Sequence, residues 1–163
     1  MTASVGLVTL RPVDPAGPEL RFHLLGDDEP TDGVGGWEVV DRPRRRGAAE
    51  WSGVQPWRLA LPLLTTGLDV TPGVNVSVEP KLTELIRLAL KVPGGLQPPV
   101  LEVTGPVRVP FPGMRWVIDG FEWGAQVRAS TGERVQQEVT VRLLEYVRAD
   151  VLLGPAARAR LAP

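Results

Sequence analysis

Between Arg134 and Val147 the chain alternates. Val135, Val139, Val141 and Leu143 fall on one parity, and Gln136, Glu138, Thr140 and Arg142 on the other. A period of two sends successive side chains to opposite faces of an extended chain, so 134–147 is predicted to be a half-buried strand. Leu20, Phe22 and Leu24 alternate with Arg21 and His23 in the same way. Residues 4–10 and 19–25 therefore read as a hairpin turned by "RPVDPAGP". Leu59, Leu61 and Leu63 share one face of a strand over 57–64. Within it Pro62 has no amide donor and is expected at an edge or bulge. Further strands are predicted at 37–41, 100–105 and 115–124, the last joined to 134–147 through the turn-rich "ASTGE".

One stretch changes period. In "SVEPKLTELIRLALK" (77–91), Leu82, Leu85, Ile86, Ala89 and Leu90 recur at helical spacing, opposite Lys81, Glu84, Arg87 and Lys91. Ser77 or Glu79 stands where a cap belongs, and Pro80 suits a first turn. "VPGG" then stops the helix. Buried fully, each of the four large apolar side chains contributes ~1.5–3 kcal/mol. Residues 26–36 and 42–56 are polar and rich in glycine or arginine, and read as extended loops. The expected fold is α+β, mostly antiparallel β (sandwich or barrel-like), with one main packed helix at about 78–91. It occupies a single β-rich domain over 1–150, followed by a C-terminal tail at 151–163.

Composition narrows the chemistry. With 163 residues the chain is long enough for one domain with a core that needs no staples. Its 18 glycines and 17 prolines are spread among apolar strands, which fits short strands and tight turns. Eighteen basic residues against 19 acidic ones give a net charge of −1, without the basic surplus usual in nucleic-acid binders. There is no cysteine, which excludes disulfides, thiol nucleophiles and cysteine zinc sites. The single histidine, His23, excludes a polyhistidine metal site within one chain. The N-terminal stretch lacks the pattern of a signal peptide, and no run approaches the ~18 apolar residues of a membrane helix. No membrane partner is expected.

Candidate reactive groups are sparse. Asp27, Asp28, Glu29 and Asp32 gather in one loop but lack the ligand order of a calcium loop. Asp119 and Glu122 lie three apart on a strand and so face opposite ways. His23 has no serine or aspartate at telling spacing, and "GVGG" and "PGG" match neither phosphate-binding nor dinucleotide fingerprints. The sequence predicts no catalytic residue, no cofactor and no metal, hence no enzyme.

What remains is a run of arginines beside a tryptophan. Arg42, Arg44, Arg45 and Arg46 precede Trp51 in a segment with no apolar stripe that would demand an indole. Arginine's planar fork favours ion pairs at interfaces, and tryptophan is enriched at interface anchors. These five residues are the candidate protein interface, presented as an arm to a neighbouring subunit. Trp57, in phase with Leu59, Leu61 and Leu63, is expected to return to the core.

Three segments read in order carry a resemblance: "GGWEVVDRPRRRGAAEWSGVQPWRLALPLL", then "VEPKLTELIRLAL" leading into "PPVLEVTG", then "WVIDGFEWGAQVRASTGERVQQEVTVRLLEYV". Over about residues 35 to 148 this order resembles small tail and baseplate proteins of bacteriophages and related contractile injection systems. In particular it resembles the N-terminal domain of LysM-bearing proteins that sit around the tail hub. Arg134, Val139, Val141, Leu143, Glu145 and Tyr146 match the group's closing strand. The chain stops at Pro163, which leaves no room for a LysM module of ~50 residues, so no glycan-binding role is expected.

The resemblance implies a structural adaptor in the virion or particle tail, assembled in the bacterial host cytoplasm. It implies docking on the tail tube or central hub/spike, contacts with wedge or sheath subunits, and copies of itself around the tail axis. A tail terminator or tube-capping protein is the alternative within that class. A small-molecule-binding or hydrolytic β-domain using His23 and the acidic loop is the alternative outside it.

Overall fold

A computed structural model describes residues 6–33, 35–44, 46–67 and 76–147. The predicted tail at 151–163 and Arg45 of the candidate interface lie outside the described residues. Among those described, nine strands and one helix follow in chain order. They are β1 (Leu7–Asp14), β2 (Leu20–Leu24), β3 (Glu29–Asp32), β4 (Trp37–Val40), β5 (Ala48–Trp51), β6 (Trp57–Thr66), α1 (Glu79–Arg87), β7 (Val100–Thr104), β8 (Trp116–Arg128) and β9 (Arg134–Glu145). The fold is α+β, dominated by antiparallel strands with one helix, as the patterning predicts.

Seven strands form one sheet in the order β2-β1-β7-β8-β9-β6-β3, and β2 also pairs with β6. That extra pairing closes six strands into a barrel, with β3 attached to the remaining edge of β6. Closure removes most of the unpaired edge that an open sheet would present. Interior positions alternate along β1, β6 and β9, and Val8, Leu10, Phe22, Leu61, Leu63, Leu101, Trp116 and Val141 meet in the core fully buried.

β1 extends through "RPVD", which its sequence marks as a turn, because its second edge pairs with β7. A register shift between Pro12 and Asp14 accommodates the proline. Pro62 does not lie on an outer edge. β6 pairs with β9 from Arg58 to Thr66, and on its other side β3 ends at Ala60 while β2 begins at Leu63. The Pro62 carbonyl accepts the Leu25 amide at 2.9 Å. Its nitrogen points to that same side, into the gap between partners, where the ladder needs no donor.

The helix is shorter than its stripe suggests. Leu82 and Leu85 are buried, with Leu88 just beyond the last turn, but Ile86 is 38% exposed and Leu90 56% exposed. A nine-residue helix touches the barrel along one line at three-residue spacing. A step of about 100° per residue turns Ile86 off that line, and the chain leaves the helix before Leu90. Val78, between the two expected candidates, is the N-cap and offers no side-chain cap, while the Ser77 hydroxyl oxygen one residue earlier accepts the Glu79 amide at 3.3 Å. The Glu79 carboxylate instead grips Arg134 at the start of β9, through Nε and Nη2 at 2.7 Å each. The Val78 amide also donates to the Arg134 carbonyl at 2.9 Å. This double attachment fixes α1 against the barrel.

Candidate interaction surface

The two segments predicted as loops each contain a strand. β3 lies within 26–36 and joins the barrel. β5 lies within 42–56 and pairs only with β4, as a separate two-stranded ribbon. Its register sets Trp37 against Trp51, Glu38 against Glu50, Val39 against Ala49 and Val40 against Ala48. By strand alternation, Trp37, Val39, Ala49 and Trp51 share one face of this arm. Nothing among the described residues covers that face: Trp37 is 68% exposed, Val39 77% and Trp51 58%.

A lone two-stranded ribbon is marginal in water, and this one is tied at its base. Gly36 and Gly53 approach so closely that a Cβ on Gly36 would stand 1.7 Å from the Gly53 carbonyl oxygen. Gly36 also holds φ at +84°, a conformation natural to glycine. The Ser52 amide donates to the Gly36 carbonyl at 2.6 Å and the Ser52 hydroxyl to the same oxygen at 3.0 Å. The Trp51 indole N–H reaches the Gly35 carbonyl at 3.3 Å. On the polar face Glu38 opposes Glu50, an unfavourable like-charge pair. Arg42 to Glu50 at 3.4 Å and the Ser52 hydroxyl to Glu38 at 3.4 Å offset it.

The predicted interface residues fall on this arm. Arg42 follows β4, Arg44 lies in the connecting turn with φ +60°, and Arg46 precedes β5; all three are exposed. Trp51 sits in a strand, not in an unstructured connection. Sequence reasoning missed its partner, Trp37. The signal available was the mirrored spelling "GGW" and "WSG", each tryptophan leading away from glycine at one foot of the ribbon.

No protein-family model and no curated protein matches this sequence. The arm's character therefore rests on its own geometry.

At the foot of the arm opens a cleft of about 610 Å³, lined by Gly33, Val54, Pro56, Trp57, Phe111 and Glu145 among others. Trp57 is partly buried against the core and forms one wall. A Cβ on Gly33 would stand 2.0 Å from the Trp57 ring, so only glycine lets the chain lie flat on that indole. The Glu145 carboxylate accepts the Trp57 amide at 3.0 Å. Phe111 is 61% exposed and Val54 57%.

The remaining candidates are engaged elsewhere. Asp28 is buried and accepts the Arg108 amide, tying the 26–36 segment to the chain after β7. Asp119 pairs with Arg58 at 3.3 Å and Glu122 with Arg142 at 3.4 Å, each acid with an arginine. His23 lies in β2 between Leu7 of β1 and Leu64 of β6. Among the described residues, no three acidic or histidine side chains gather as a metal site would require. No described helix is long and apolar enough to cross a membrane.

Proposed function

We propose that this chain is a structural tail or baseplate component of a phage or phage-like contractile injection particle. It docks on the tail tube or central hub and links that axis to surrounding baseplate proteins. The observation that carries this reading is the β4–β5 arm, which presents an apolar face of Trp37, Val39 and Trp51 beside an arginine-bearing turn. Surfaces enriched in tryptophan and arginine mark interface anchors, and a buried indole there is typically worth about 2 kcal/mol or more on truncation. The barrel supplies a rigid base, and the arm projects the contact beyond it. The resemblance of residues 35 to 148 to hub-associated tail proteins supports the particle context.

The reading is tested by tagging the chain in a host that produces the particle and purifying assembled tails. The tagged chain should co-purify in fixed stoichiometry with tube and hub proteins and appear in images as density at the baseplate. Recovery only as a free protein, with tails complete without it, would contradict the reading.

A further inference from the structure

We infer that the cleft beside Phe111 and Glu145 is the socket for the β4–β5 arm of a second copy of this chain, so that copies join head to tail. This rests on the proposed assembly role and names the partner surface.

Three observations point to that occupant. The first is chemistry. The cleft has walls of Val54, Pro56, Trp57 and Phe111 with a single carboxylate, Glu145, among its described lining side chains. A matching insert needs apolar bulk with a cation beside it. The arm supplies both along its length, with Trp37 and Trp51 at its foot, Val39 between, and Arg42, Arg44 and Arg46 around its turn.

The second is area. Two tryptophans at such exposure plus Val39 offer on the order of 400 Å² of apolar surface, whereas a stable interface buries about 800 Å² per partner. The apolar face supplies about half of that area, so the arginine turn and the strand backbone of the arm must meet the rim of the cleft to supply the rest. The third is geometry within one chain. Neither Trp37 nor Trp51 lines the cleft, and both stay exposed. The chain's own socket is not filled by its own arm.

Arm and socket are different surfaces, so the contact is heterologous: it closes into a ring if the rotation per copy permits and otherwise runs on as a filament. Such a contact has a distinctive signature in mixtures. Trp37→Ala with Trp51→Ala disables the arm but keeps the socket, and Phe111→Arg disables the socket but keeps the arm. Both changes fall on exposed side chains, so each variant should retain the wild-type melting curve.

Light scattering after size exclusion is the measurement. Wild type at high micromolar concentration should exceed the 17.6 kDa monomer, each variant alone should run as monomer, and the equimolar mixture should run at twice the monomer mass. A mixture that stays monomeric would overturn the inference, as would wild type that never exceeds monomer mass. If the arm variant also fails to enter tails while the mixture stays monomeric, the arm docks on a different tail protein. In that case the proposed function stands and this inference falls. Dimers in the mixture from a chain never recovered in tails would uphold the arm-and-socket contact and remove the tail role instead.

Discussion

Trp37 and Trp51 stand directly opposite each other across the β4–β5 ribbon, on a face that nothing in the described chain covers. Cross-strand aromatic pairs contribute roughly 0.2–1 kcal/mol to a ribbon, which helps hold the arm together but adds little to the barrel. Replacing both with alanine should therefore shift global unfolding free energy by no more than about 0.5 kcal/mol, the range of ordinary surface substitutions. A denaturant melt checks this. A loss of several kcal/mol would show that the indoles pack into the body of the protein.

The foot of the arm is more sensitive than its face. A Cβ at Gly36 meets the Gly53 oxygen at 1.7 Å, and a side chain also resists φ of +84°. Gly36→Ala should splay the two strands and break the Ser52 amide bond to Gly36. Hydrogen exchange should speed up at Ser52 and through β5 while protection in β9 stays as in wild type. Unchanged exchange at Ser52 would mean the pinch does not govern the arm.

The grip of Glu79 on Arg134 makes stability depend on acid. The hydrogen bonds from the Arg134 guanidinium hold the Glu79 carboxyl well below its usual range, at about 2, against partial desolvation that pushes the other way. A carboxyl depressed on folding binds fewer protons in the native state than in the unfolded one. Its stabilisation is present above the ordinary value of 4.5 and is lost as pH falls from there toward about 2. Because the Glu79 side chain is 37% exposed, solvent screening limits the pair to ~1 kcal/mol. Glu79→Gln should lower the melting temperature by roughly 2–4 °C at neutral pH, the shift expected for about 1 kcal/mol in a chain of this size. The gap from wild type should narrow as pH falls from 4.5 toward about 2. A gap independent of pH would mean the pair contributes packing and no charge.

Much of the barrel was legible because its signal is local. Val135, Val139, Val141 and Leu143 of β9, like Leu59, Leu61 and Leu63 of β6, are all buried as their parity requires. Gln137 breaks that pattern without breaking the strand. It is buried on the apolar parity, and its amide reaches the carbonyls of Gly124 and Glu138 at 3.1 and 2.7 Å, bracing the bulge between Trp123 and Gln126. No one-strand pattern announces a polar residue needed by its neighbour's bulge. β3, "EPTD", and β5, "AAEW", were hidden for a different reason: each is four residues long, with a single strand former, Thr31 or Trp51, among residues depleted in strands. Pairing with β6 and β4 makes them strands. The arginines and Trp51 stood out by composition, whereas the Trp37 pairing depends on register across a turn. Closure of the barrel through β2 and β6 is likewise a non-local contact that no period encodes.

The helix offers a paired comparison. Leu85 is fully buried and its neighbour Ile86 is 38% exposed. Leu85→Ala should cost about 2–5 kcal/mol, the usual range for emptying a core site, while Ile86→Ala should cost under about 1 kcal/mol. Chemical denaturation of the two variants separates them. Equal losses would mean that Ile86 packs against the barrel as deeply as Leu85 does.

Under the proposed function the β4–β5 arm serves assembly and is dispensable for folding. The most direct test combines Trp51→Ala with glutamate at Arg44, Arg45 and Arg46, and follows one preparation through both a thermal melt and incorporation into purified tails. The expected result is a melting curve close to wild type together with loss of the chain from the particle. Normal incorporation, or a melt that collapses with the substitutions, would contradict it.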